Sequence, residues 1–237
     1  MRWTEAAALA VILLGCAQAQ TPPPQAPQMP AVPAPAAPLV RPGFVVVLDA
    51  AHGGSDPGAH LRSDLQEKDV TLALSNRLRS ALRARGIDVV TTRDGDVNPS
   101  MADRAGTANH AEAAGCLVIH ATATGSGVHL FTSSLAPAPP ARMLPWQTAQ
   151  TAYVSQSLKL ESEIDSALAH AQIPVTLGRA YVQPIDSLAC PAVAVEIAPL
   201  VAGHVTEARA ISDAGYQKSV MDALSAAIEA WRSDWKQ

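Results

Sequence analysis

Three apolar runs in this chain end in side chains that bind metals or move protons. Phe44-Val45-Val46-Val47-Leu48-Asp49-Ala50-Ala51 leads into His52, Cys116-Leu117-Val118-Ile119 into His120, and Ala192-Val193-Ala194-Val195 into Glu196. Each run is rich in β-branched residues and predicts a strand buried on both faces. In open parallel sheets ligands sit outside the carboxyl ends of strands, so three such residues at three strand ends outline a site. Glu67, at the start of an amphipathic run, is a fourth candidate. Two imidazoles and a carboxylate are the ligand set of a hydrolytic zinc site with one position left for water. A second glutamate, not bound to metal, would supply the general base.

Each residue also has a plainer reading. Asp64-Leu65-Gln66-Glu67 fits a capping box in which Glu67 closes a helix start, and on pattern alone this is the favoured role for Glu67. His52 reads as a loop histidine beside glycines, and His120 as a satisfied histidine at a strand end. Glu196 reads as a carboxylate meeting a helix N-terminus or an arginine. Taken together these readings lose ground, because a carboxylate directly after Ala-Val-Ala-Val is costly unless a metal or hydrogen bonds partner it.

The elements that must position these groups follow from periodicity. Val45 to Ala50 predicts the first strand, and the Gly/Asp/Pro/Ser-rich stretch from His52 to Asp64 a loop. Val70, Leu74, Leu78 and Leu82, widened by Ala73 and Ala81, predict a helix over about 66–85, stopped by Gly86. Ile87 to Thr92 predicts a second strand. Asn98-Pro99 opens a helix to about Ala114, with proline in the first turn. The His120 strand and a short strand from Gly127 to Thr132 come next. Residues 135–150, with four prolines, predict an irregular loop. A helix over Tyr153–Ala171, the Glu196 strand and a last helix near Asp213–Arg232 complete the pattern. This alternation predicts a single α/β domain with a mostly parallel central sheet flanked by helices on both faces.

The chain has 237 residues, and two segments stand apart from that domain. Residues 1–19 resemble a secretory signal, with Arg2 ahead of an apolar stretch from Ala6 to Leu14 that is too short to span a bilayer. Two processing sites compete there. Ala17-Gln18-Ala19 suits signal-peptide cleavage, while Leu13-Leu14-Gly15-Cys16 resembles a bacterial lipobox with Cys16 as the acylated residue. Residues 20–42 are mostly Pro, Ala and Gln and predict an extended linker, leaving 43–237 as the globular domain. The expectation is an exported protein of the periplasm or cell envelope, touching membrane only through a lipid on Cys16. Cys116 and Cys190, each upstream of a site-bearing strand, are either a disulfide or two buried thiols. Net charge is −4, with no basic run and no stacking platform, which argues against nucleic acid. Dinucleotide- and phosphate-loop patterns are absent from the sequence as well.

A family resemblance rests on Leu48-Asp49-Ala50-Ala51-His52-Gly53-Gly54-Ser55-Asp56-Pro57-Gly58-Ala59 and Glu67-Lys68-Asp69-Val70-Thr71-Leu72. Thr92-Arg93-Asp94, Arg104, Ala108-Asn109, Val118-Ile119-His120-Ala121, Ser126-Gly127-Val128 and Pro191-Ala192-Val193-Ala194-Val195-Glu196 follow in order. The chain resembles the zinc-dependent N-acetylmuramoyl-L-alanine amidases, cell-wall hydrolases of mixed α/β fold. The resemblance implies one zinc ion on His52, Glu67 and His120, with Glu196 as the catalytic carboxylate. It implies peptidoglycan as the partner and cleavage of the amide between the lactyl group of N-acetylmuramic acid and L-alanine. Whether an activator protein takes part stays open.

Several positions depart from the family pattern. The usual Pro-Gly before the first histidine is Ala50-Ala51, Ala121 is followed by Thr122, and the loop on to Ser126 is very short. Ile197-Ala198-Pro199-Leu200 replaces the usual Gly-Phe-Leu. Nothing in 135–150 resembles the helical insert that blocks the site in regulated relatives, so an open cleft is expected. These loop changes motivate the alternative of a non-catalytic peptidoglycan-binding envelope protein that keeps the metal site. A zinc hydrolase of another amide is a second rival, and a structural linker protein without a site the weakest. His60, His110, His129, His170 and His204 match no motif and read as surface or packing residues. Arg93 and Arg104 read as loop-orienting residues paired with carboxylates.

Overall fold

A computed structural model describes residues 43–139, 145–204 and 206–235. The expected export segment, Cys16 and the Pro/Ala-rich linker lie outside these residues. Twelve regular elements follow in chain order. They are β1 (Val45–Ala50), β2 (His60–Arg62), β3 (Leu65–Gln66), α1 (Glu67–Ala84), β4 (Asp88–Thr91) and α2 (Met101–His110). Then come β5 (Gly115–Ala121), β6 (Val128–Ser133), α3 (Val154–His170), β7 (Val175–Ala180), β8 (Ala192–Ile197) and α4 (Ala214–Trp235). Short 3-10 turns lie at Trp146–Ala152 and Ile185–Ser187.

Six strands form the central sheet in the order β4-β1-β5-β8-β6-β7. Every pairing is parallel except β6 against β8. That exception has a simple cause. Only Thr122 to Gly127 separate β5 from β6, too few residues for the crossover that a parallel return requires. The chain therefore turns back, and β6 starts at the end of the sheet where β5 and β8 finish.

One face of the sheet carries the large aliphatic residues. Leu48, Leu117, Ile119, Val193, Val195 and Ile197 pack there against Leu74 and Leu78 of α1, Leu160 and Ile164 of α3, and Leu224 and Ile228 of α4. Fully burying a side chain of this size contributes about 1.5–3 kcal/mol, so this face holds the domain together. The opposite face is built from smaller groups: Val47, Cys116, Val118, Ala192 and Ala194 pack on Ala105 and Ala108 of α2 and on Ile185 and Leu188. Helices thus cover both faces, three on one and one on the other.

Several expectations are refined. The loop from His52 to Asp64 contains half of a small antiparallel hairpin, β2 with β3. The helix after Pro99 is shorter than its pattern suggests and begins beyond the proline. Ser100 caps it, accepting from the Asp103 backbone N–H while the Asp103 carboxylate reaches back, a full capping box. Strand β7 went unread in the sequence because it is an edge strand whose residues are partly exposed, without a clear apolar period. The two cysteines are joined: Cys116 enters β5 and Cys190 precedes β8, neighbouring strands whose register sets Cys116 beside Ala192.

Candidate metal centre and the acidic strand end beside it

His52 lies just past β1 in a turn built around two buried guanidinium groups. Arg104 donates to the carbonyls of Ala50 (2.8 Å) and His52 (2.8 Å) and to Oδ1 of Asp49 (2.6 Å). Arg93 donates to the carbonyls of Ala50 (2.8 Å), Ala51 (3.1 Å) and Lys68 (2.8 Å). Loop orientation through carboxylate pairing therefore holds for Arg104 with Asp49. It fails for Arg93, which bonds to main-chain oxygens and the Thr71 hydroxyl. These bonds hold His52 at a positive φ of 62°, a conformation that a non-glycine residue keeps only when its surroundings enforce it.

Glu67 does not take the capping role its sequence position suggests. Gln66 occupies the cap position of α1 without a side-chain hydrogen bond, and Glu67 is the first helical residue. Its carboxylate, buried at 5% exposure, stands between the two histidines. Oε2 is 3.1 Å from His52 Nε2 and Oε1 is 2.9 Å from His120 Nδ1. The backbone N–H groups of Ala59 and Ala121 donate to the same carboxylate. Burial pushes the Glu67 carboxyl up, but the two imidazoles and the two N–H donors outweigh it and hold the group well below the usual carboxylate range. On the other side of the pair, the Glu67 carboxylate outweighs burial and, with Asp56, raises His52 to about 8. The contact is tight enough to need Gly58, at φ +65°, because a Cβ there would lie 2.6 Å from His52 Cδ2 and 2.7 Å from Glu67 Oε2.

One nitrogen or oxygen from each of His52, Glu67 and His120 falls within 4.8 Å of the others, so this group could hold a metal ion. The donor chemistry fits zinc: two imidazoles and one carboxylate, with room for a fourth ligand. His52 is oriented for it, since Nδ1 is hydrogen-bonded to Asp56 Oδ2 at 2.9 Å and Nε2 is thereby left facing Glu67. Asp56 was not singled out from the sequence, although a carboxylate four residues after a loop histidine is the signal that marks such a partner.

Glu196 lies directly beside His120, in register on β5 and β8. On the far side of β8, His129 is in register with Glu196 and its Nδ1 is 2.7 Å from Glu196 Oε2. The sequence expectation of a surface or packing role for His129 is therefore corrected. The missed signal was the short loop after His120, which obliges β6 to begin at the site end of the sheet. His120, Glu196 and His129 form one row across three strands. An apolar pocket of about 220 Å³ adjoins the row, lined by His120, Glu196, Phe131, Ala180, Val182 and Ala194. On the other side a smaller recess is bounded by His52, Met101, Gln183 and Pro184. The side chains of His52, His120 and Glu196 keep 24%, 25% and 31% of their surface accessible, which leaves the row open to a ligand.

Comparison with known proteins identifies the family. Residues 46–230 match a family described as N-acetylmuramoyl-L-alanine amidase. Escherichia coli (strain K12) N-acetylmuramoyl-L-alanine amidase AmiA is 46% identical over 77 residues, covering 32% of this chain and 27% of the relative. AmiC of Escherichia coli O6:H1 is 26% identical over 256 residues, covering 93% of this chain and 59% of the relative. The chain thus spans about a quarter of the length of the first of these relatives and about three fifths of the second. Among solved structures, the catalytic domain of CwlV from Bacillus (Paenibacillus) polymyxa var. colistinus superimposes with a TM-score of 0.61 at 21% identity, over 80% of this chain and 98% of that one. An N-acetylmuramoyl-L-alanine amidase from Clostridium difficile 630 gives 0.62 at 20% identity, over 81% and 98%. With the family match spanning nearly the whole described domain, the chain belongs to the N-acetylmuramoyl-L-alanine amidase family.

Proposed function

We propose that this protein is a zinc-dependent peptidoglycan hydrolase that cleaves the amide between the lactyl group of N-acetylmuramic acid and the L-alanine of the stem peptide. His52, Glu67 and His120 hold one zinc ion, and Glu196 is the catalytic carboxylate. The observation that carries this reading is the register of Glu196 with His120, next to a cluster of three donor atoms within 4.8 Å of one another. When bound, zinc supplies Lewis acidity and lowers the pKa of water toward neutrality.

The chain's own groups account for the rest. Asp56 fixes the His52 ring, and the Ala59 and Ala121 amides fix Glu67, which holds both donors in place. Glu196 takes a proton from the attacking water and returns it to the departing alanine nitrogen. Its Oε2 is occupied by His129, which leaves Oε1 for that proton. The apolar pocket lined by Phe131, Val182 and Ala194 suits the methyl groups that flank the scissile amide. Export through residues 1–19, by either processing route, would bring the domain at 43–237 to this substrate, with 20–42 as its tether.

Zinc content and peptide release from purified peptidoglycan, measured on the purified chain, test the proposal. One zinc per chain and new L-alanine amino termini are expected. Glu196→Ala is expected to keep its zinc and lose about 100-fold or more in rate. Turnover at the normal rate by that variant would refute the mechanism. Zinc without cleavage in the wild type would favour the non-catalytic envelope-protein alternative.

A further inference from the structure

Nothing in the metal cluster or the strand-end carboxylate requires a histidine at position 129, yet the structure seats one there with care. The β6–β8 register brings His129 opposite Glu196, on the face that also carries Phe131 and Ala194. Its Nδ1 lies 2.7 Å from Oε2, within the range of a charge-assisted hydrogen bond. Among the described residues, no other group is hydrogen-bonded to the Glu196 carboxylate. The ring is held from behind by Gly125, at φ +82°. A Cβ at that position would lie 2.4 Å from His129 Cε1 and 2.5 Å from Nε2, so the glycine makes room for the imidazole. With its side chain 14% exposed, against 31% for Glu196, His129 is the more enclosed member of the pair.

We infer that His129 is a positioning residue for Glu196. The Nδ1–H donates to Oε2, fixes the carboxylate's rotamer, and leaves Oε1 as the oxygen that accepts and returns the proton. A glutamate has three side-chain torsions, and its carboxylate plane rotates almost freely at the last of them. At the end of an apolar strand with no other partner, that plane is set by the one donor that reaches it. The short β5–β6 loop is what makes this contact available, because it starts β6 at the site end of the sheet. This inference rests on Glu196 being the base of the proposed amidase reaction.

The test is steady-state hydrolysis by the full chain. His129→Leu, which keeps bulk but donates nothing, is expected to lower kcat by about 10–100-fold, the scale of a misplaced catalytic group, with KM and zinc content unchanged. His129→Asn, whose amide nitrogen stands near the Nδ1 position, is expected to recover most of the loss. Gly125→Ala, which crowds the ring without removing its donor, is expected to lower kcat in the same selective way. Unchanged kcat in His129→Leu, or equal losses in the Leu and Asn variants, overturns the inference. If His129→Leu does not fold, the Gly125→Ala and Asn results decide. A second readout needs no turnover: in protein labelled with 15N-histidine, the His129 Nδ1–H proton is expected to be protected in the wild type and lost in Glu196→Ala. Its absence from the wild type overturns the pairing. A wild type that binds zinc and releases no peptide overturns the amidase reading instead, and that failure is visible before any variant is compared.

Discussion

Replacing Arg104 by methionine isolates what holds the His52 turn in place. Arg104 is 1% exposed and Asp49 4%, and their contact is a buried ion pair at 2.6 Å. The same guanidinium caps the carbonyls of Ala50, His52 and Pro99. Methionine retains the stem's packing and removes every donor. Asp49 is then left buried with only the Thr92 hydroxyl on Oδ1, while its Oδ2 has no partner in the native structure either. Breaking a buried pair by removing one member costs about 3–5 kcal/mol, because the remaining charge is uncompensated. For a domain near 200 residues each kcal/mol lowers Tm by about 2–4 °C, so a fall on the order of 10 °C is expected. Freeing the His52 carbonyl should also weaken zinc binding by about tenfold, as with other supporting groups of metal ligands. Urea unfolding and zinc titration measure both effects. Adding Asp49→Asn removes the stranded charge, so the double variant should regain much of the lost stability. A loss below about 1 kcal/mol, or a double variant no more stable than Arg104→Met, would refute the assigned role of the pair.

Two other perturbations test the scaffold. The Cys116–Cys190 disulfide closes a sequence separation of 74 residues, and loop-closure entropy puts its contribution at about 4 kcal/mol. Cys116→Ser with Cys190→Ser should lower the urea midpoint accordingly and leave zinc stoichiometry unchanged; equal midpoints would contradict it. Glu161, buried on α3 with Asp165 nearby, has its carboxyl raised from 4.5 to about 7. The folded state therefore keeps a proton that the unfolded chain has lost, and stability falls as pH rises from 4.5 through 7, by at most about 3 kcal/mol. Glu161→Gln should be more stabilising, relative to wild type, at pH 8 than at pH 5. The same difference at both pH values would show that Glu161 is not the source.

Strands β1, β5 and β8 and the long helices were legible because a buried strand and an amphipathic helix leave strong local patterns. His52, His120 and Glu196 were legible for a related reason: a polar group ending an apolar run is costly unless it has work or a partner. Glu67 was ambiguous by sequence, since a carboxylate at a helix start serves a cap as readily as a metal, and only the tertiary structure sets it between two imidazoles. His129 and the main-chain partners of Arg93 and Arg104 have no local signature. Their roles depend on contacts between distant positions.

Residue type and period thus determined the α/β class and the strand ends that carry His52, His120 and Glu196. Tertiary structure decided the rest: the reversal of β6, the joining of Cys116 to Cys190 and the partner of each polar group. The reason is physical. Burial and backbone propensity are properties of short stretches, whereas register and pairing are set by which strands become neighbours. One short loop after His120 turned β6 around, and with that turn a histidine without a motif came to stand 2.7 Å from Glu196.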